Sequence, residues 1–119
     1  MKKIILGFLI CCIFMCSITP AQALDVKEQS AIQNLIYRGS YSSAKTKIDA
    51  AISSDATDPV PHMLKGMYYQ WYQVNYNKNH ALDNTILQWF EKAKTLAEAK
   101  VNKDPNNLTN QTMLGNALM

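Results

Sequence analysis

The sequence predicts an all-α protein behind an export signal. Beyond residue 24, apolar residues recur at three- and four-residue spacing, which puts them on one face of a helix. No stretch alternates apolar and polar residues as a half-buried strand does. Between Leu24 and Lys65 the only glycine is Gly39, and it falls where one periodic run ends and another begins.

The first 23 residues read as a cleavable leader. Lys2 and Lys3 precede a nearly uninterrupted apolar run from Ile4 to Ile18, followed by Pro20 and the small-residue site Ala21-Gln22-Ala23. A basic start, an apolar middle and an A-x-A end are the three parts of a secretory signal. Cleavage after Ala23 makes Leu24 the mature N-terminus. An uncleaved anchor would need about 20 apolar residues to span a bilayer, and this run is shorter. A lipid-attachment signal would need a small residue before its cysteine, whereas Cys16 follows Met15.

Cleavage changes the composition. Cys11, Cys12 and Cys16 leave with the leader, so the mature 96 residues (24–119) carry no disulfide, thiolate metal site or cysteine nucleophile. Lys2 and Lys3 leave as well; of twelve basic residues ten remain against nine acidic ones, a net charge of +1. That balance gives no basic patch for nucleic acid or an anionic membrane surface, and no stable membrane span remains after cleavage. The length suits a single domain with a thin core.

Five helices follow in order. Asp25 and Glu28 form a capping-box-like pair ahead of Ala31, Ile32, Leu35 and Ile36, and Gly39 ends the run. A second helix spans residues 41–54, with Tyr41, Ala44, Ile48, Ala51 and Ile52 on one face. Residues 53–61, with Asp58-Pro59 and Pro61, read as a turn whose aspartates serve turn chemistry. A third helix over 61–75 carries Leu64, Met67, Tyr68, Trp71 and Tyr72 as a core stripe. The Asn-rich stretch to residue 83 is a loop. A fourth helix, capped by Asp83 or Asn84, runs to about residue 103 with Ile86, Phe90, Ala93, Leu96, Ala97 and Val101 on one side. Asp104-Pro105 ends it, and a fifth helical pattern starts at Leu108.

The second and fourth helices repeat one another. Ala44, Ile48 and Ala51 match Ile86, Phe90 and Ala93 at a constant offset of 42 residues, and the Asp-Pro steps at 58–59 and 104–105 are 46 apart. Gly39-Ser40-Tyr41-Ser42-Ser43-Ala44, then Ile48, Ala51 and Pro59, resembles the signature of the tetratricopeptide repeat family. Phe90 to Ala93 is similar to the second half of another unit, and Leu114-Gly115 with Leu118, after Pro105, to the opening of a third. The second unit exceeds the family's period of about 34 residues by about a dozen, and helix three offers Leu64-Lys65-Gly66 in place of a Leu-Gly step. The resemblance implies antiparallel hairpins stacked as a short right-handed solenoid over residues 24–119, with the small residues letting helices approach. A plain helix bundle is the alternative. Repeats of this kind need about three units and a polar last one, yet Met113, Leu114, Ala117, Leu118 and Met119 are apolar. The domain is therefore expected to continue beyond Met119 or to self-associate through this segment.

Catalytic equipment is missing from the pattern. His62 and His80 are 18 residues apart with no acidic or thiol ligands at metal spacing, and both read as surface residues. No nucleophile elbow, phosphate loop or acidic motif occurs. Asn107-Leu108-Thr109 and Asn110-Gln111-Thr112 match the glycosylation pattern, but loop and cap roles explain them better. Glu91, Lys92, Lys94 and Glu98 form a solvated face. Tyr69, Gln73 and Tyr76, with Lys65, lie off the core stripe of helix three. In the resembled family the first helix of each hairpin lines a peptide groove, so these four are the groove candidates, tyrosine and glutamine supplying contact area and hydrogen bonds. Trp89 fits either a core or a pocket role. The expected function is an exported, periplasmic or secreted, interaction module for a protein or peptide of the cell envelope, without enzyme activity, metal or cofactor. Two alternatives remain: a small-ligand-binding component of a transport system with a closed pocket around the helix-three aromatics, and a structural piece of a longer repeat protein.

Overall fold

Side-chain capping sets where three of the five described helices begin. A computed structural model describes residues 24–118; residues 1–23, where the expected cleavage site at Ala21 and Ala23 falls, and Met119 lie outside the described residues. Helix α1 is Val26–Tyr37, and the Asp25 carboxylate accepts the Glu28 N–H at 2.7 Å. It closes on Gly39 at φ +75°, with the Ser40 N–H reaching back to the Leu35 carbonyl at 2.8 Å. Helix α2 is Tyr41–Ser54. Helix α3 is Pro59–Asn75, two residues longer at its start than the sequence suggested. The expected turn over 53–61 ends early because Asp58 caps the helix, accepting the Val60 N–H at 3.0 Å, and proline is at home in a first turn that needs no N–H.

The Asn-rich connection takes three left-handed residues in sequence order, Asn77 (φ 49°), Asn79 (φ 46°) and His80 (φ 65°). Asparagine and histidine enter that region more readily than most residues. Helix α4 is Asp83–Lys103. Neither Asp83 nor Asn84 caps it: the N-cap is Leu82, and the Asp83 carboxylate instead takes the Gln73 amide at 2.7 Å. Helix α5 is Leu108–Leu118, and Asn107 accepts the Asn110 N–H at 3.1 Å, a cap role for one of the glycosylation-like asparagines.

All regular structure among the described residues is helical, so the chain is all-α. Each helix packs on its neighbours in sequence, and the odd-numbered helices pack on one another: α1 with α3, and α3 with α5. The backbones of α2 and α4 do not approach one another. The core holds Ile32 and Ile36 of α1, Tyr41, Ala44 and Ile48 of α2, and Val60, Leu64 and Tyr68 of α3. Ala93 and Ala97 of α4 are fully buried, whereas Ala51 is half-buried and Pro105 is exposed in the α4–α5 turn. At Gly66 the two longest helices come close: a Cβ there would stand 2.8 Å from the Phe90 ring. Gly66 is thus the small residue that admits the matching aromatic of the 42-residue repeat.

Two expected surface-or-core assignments reverse. His62 is buried, its Nδ1 2.9 Å from the Asp58 carbonyl, because α3 starts early enough to turn it inward. Trp71 is 39% exposed and leaves the core stripe, packing edge-on against Tyr37 of α1 at 5.4 Å between ring centroids.

Candidate functional site

The odd-numbered helices frame an open groove. Helices α1 and α3 run in the same direction, since their first turns meet and the end of α1 meets the C-terminal half of α3 through Tyr37 and Trp71. Between their first turns and α5 lies a cavity of about 690 Å³. Val26 and Gln29 line it from α1, Val60 and Met63 from α3, and Leu108, Met113 and Ala117 from α5. The wall is mostly aliphatic with amides and hydroxyls from Gln29, Thr109, Thr112 and Asn116, which is the composition of a site that binds by shape and a few polar anchors. Val26 and Leu108 are largely exposed, so apolar surface stands open to water here.

None of the four groove candidates named from sequence lines this cavity. Lys65 is buried to 4% exposure, and its ammonium pairs with Asp49 of α2. The same ammonium lies 5.4 Å from the Trp89 ring centre and 6.0 Å from that of Tyr69. Burial raises the Asp49 carboxyl, and hydrogen bonds from Lys45 and Lys65 more than offset this, holding it below its ordinary value. Tyr69 is half-buried against the core and edge-on to Tyr68. Gln73 joins the end of α3 to the start of α4: its carbonyl accepts the Leu82 N–H at 2.6 Å while its amide reaches Asp83. Tyr76 is exposed but lies tilted against Tyr72 at 4.5 Å and against Tyr41 at 6.0 Å between ring centroids. These residues face α2 and α4, on the other side of α3 from the groove. The placement has a simple cause: lying off the core stripe does not fix which of two neighbouring helices a face meets.

Sequence reasoning missed Val26, Gln29 and Met63, and it missed Asp58. A signal was present for the first three. Val26 and Gln29, then Val60 and Met63, then Thr109, Thr112, Met113 and Asn116 each recur at three or four residues, a stripe opposite the α2- and α4-facing sides. Asp58 is 1% exposed, with one carboxylate oxygen on the Val60 N–H and the other on the Leu24 N–H at 2.8 Å. Among the described residues no group of three His, Cys, Asp or Glu side chains is placed to hold a metal ion, and no helix is long and apolar enough to cross a membrane.

Compared with protein-family models, curated proteins and solved structures, the chain matches none of them.

Proposed function

We propose that the chain is an exported helical-hairpin interaction module that holds a peptide or protein segment of the cell envelope in the groove between α1, α3 and α5. One observation carries this: α3 packs on both α1 and α5, and the three leave an open, largely aliphatic groove, while the backbones of α2 and α4 stay apart behind them. Stacked hairpins of the tetratricopeptide kind, each made of an odd and the following even helix, give that pattern, because every repeat contacts only its neighbours. Gly39, Tyr41, Ala44, Ile48 and Pro59 in one unit, and Phe90 and Ala93 in the next, serve as the packing positions of a short right-handed solenoid. The leader sends the chain to the periplasm or beyond, and the module works there by binding, with no catalytic step. None of the helix-three aromatics lines this groove.

The test is site-specific photo-crosslinking in intact expressing cells. A photoreactive residue at Met63 in the groove should yield a discrete cross-linked envelope product. The same group at Lys92, on the exposed face of α4, should yield none. Met63→Glu should abolish the product while leaving the helical circular dichroism intact. Equal labelling from both positions would sink the groove assignment.

A further inference from the structure

Among the described residues Asp58 is a buried carboxylate without a cation: two backbone N–H groups reach it, those of Val60 and Leu24, and no described cation lies within ion-pair distance. A buried carboxylate is normally paired as well as hydrogen-bonded. The groups around it do not supply a charge. His62, on the same helix, spends its Nδ1 on the Asp58 backbone carbonyl. Lys47 of α2 shares a shallow cavity with Leu24, Asp25 and Glu28, but pairs with Glu28 at 3.3 Å. Asp25 at the start of α1 and Asp55 at the end of α2 are acids, and Lys100 of α4 acts on Asp55. Helix α5 carries no charged side chain.

We propose that Asp58 is the receptor for the α-amino group released when the leader is cut between Ala23 and Leu24, an inference that rests on the export reading above. Hydrolysis of that bond by a signal-processing peptidase consumes one water. The new carboxylate stays with Ala23, and the nitrogen of Leu24 leaves the amide, gains protons and becomes an ammonium. That nitrogen already lies 2.8 Å from Oδ2 of Asp58, and the Leu24 side chain is packed against the core, so the charge arises in place. In the leader-bearing chain an uncharged amide N–H meets the carboxylate; in the processed chain an ammonium does, and the hydrogen bond becomes a buried ion pair. The fold thereby senses its own processing: it is weakly closed before export and locked after it. An α-amine ordinarily titrates near about 7.7–8.0. Paired with a carboxylate it titrates higher, so the lock is complete below the ordinary value and is lost as pH rises through the paired one.

The experiment uses the protein recovered from the periplasm. Its N-terminal mass tells whether it begins at Leu24; any other start removes both the export reading at this bond and the receptor role. Thermal unfolding is then followed from pH 6 to pH 11 for this protein, for a form with one serine inserted between Ala23 and Leu24, and for both with Asp58→Asn. The insertion keeps a Leu24 N–H but moves the ammonium away. It should lower Tm by about 5 °C at pH 6, the gap should close at high pH, and Asp58→Asn should erase it. If Asp58→Asn does not fold, the pH profile of the insertion decides alone. A protein that begins at Leu24 and whose Tm ignores the insertion at every pH overturns the receptor role and leaves the export reading standing.

Discussion

Replacing Asp49 with asparagine strands the Lys65 ammonium, whereas replacing Lys65 with methionine strands nothing. The asymmetry follows from exposure. The Lys65 side chain is 5% exposed and that of Asp49 is 43% exposed, with Lys45 a second cation at 2.7 Å. Breaking a fully buried pair from one side costs about 3–5 kcal/mol, most of it the penalty of the charge left behind. The Trp89 and Tyr69 rings return about 1 kcal/mol of that to the ammonium by their π faces. Asp49→Asn should therefore cost about 2–4 kcal/mol, or 10 °C or more in Tm for a domain of this size. Lys65→Met keeps the aliphatic packing of the stem, leaves Asp49 to water and Lys45, and should stay within about 1 kcal/mol of the wild type. Thermal unfolding followed by circular dichroism at 222 nm on the two variants measures both numbers. If Lys65→Met loses 10 °C while Asp49→Asn loses none, the burial argument fails, because the net attraction and not the stranded charge would then dominate.

Ile48→Ala empties a fully buried site between α1, α2 and α3 and should cost about 2–5 kcal/mol in urea unfolding. Gly39→Ala puts a side chain at φ +75°, where L-residues are strained, and should cost about 1–2 kcal/mol although nothing crowds the site closer than 3.9 Å. Acid should weaken the fold. Thr57 hydrogen bonds lower the Asp55 carboxyl, and Asp49 is likewise held below its ordinary value of 3.8, so their contributions are present above that value and vanish as pH falls through the lowered ones. A Tm series between pH 6 and pH 2 should fall below pH 4, less steeply in Asp55→Asn.

Periodicity made the helices and most of the core legible. Ile32, Ile36, Ala44, Ile48, Leu64, Ala93 and Ala97 lie on the faces their spacing assigns and are fully buried. Punctuation was legible too, since Gly39 and the asparagines at 77 and 79 take the left-handed backbone such residues permit. What failed was the step from one helix to a pair of helices. Trp71 shares a stripe with Tyr68, but the stripe is wider than the contact, and its edge is exposed beside Tyr37. Lys65 looked like a groove cation because lysine is seldom buried; the Asp49 that permits its burial is 16 residues away in sequence, and no local pattern announces it. Asp58 looked like turn chemistry, and it is that as well: a cap for α3 whose second oxygen meets a residue 34 positions earlier.

The pairing of helices only with first and second neighbours also governs how the chain comes apart. Contacts that close small loops form early and quickly, so this topology favours rapid folding. It also lets opening begin at an end without loosening the middle. Among the described helices, α5 packs on α3 and α4 alone and contains no buried residue, while α3 is held by the other four. Amide protons should exchange with solvent soonest along α5 and last in α3. The α5 wall of the groove is then its movable one, and a segment bound there would be admitted by the fraying of a single helix.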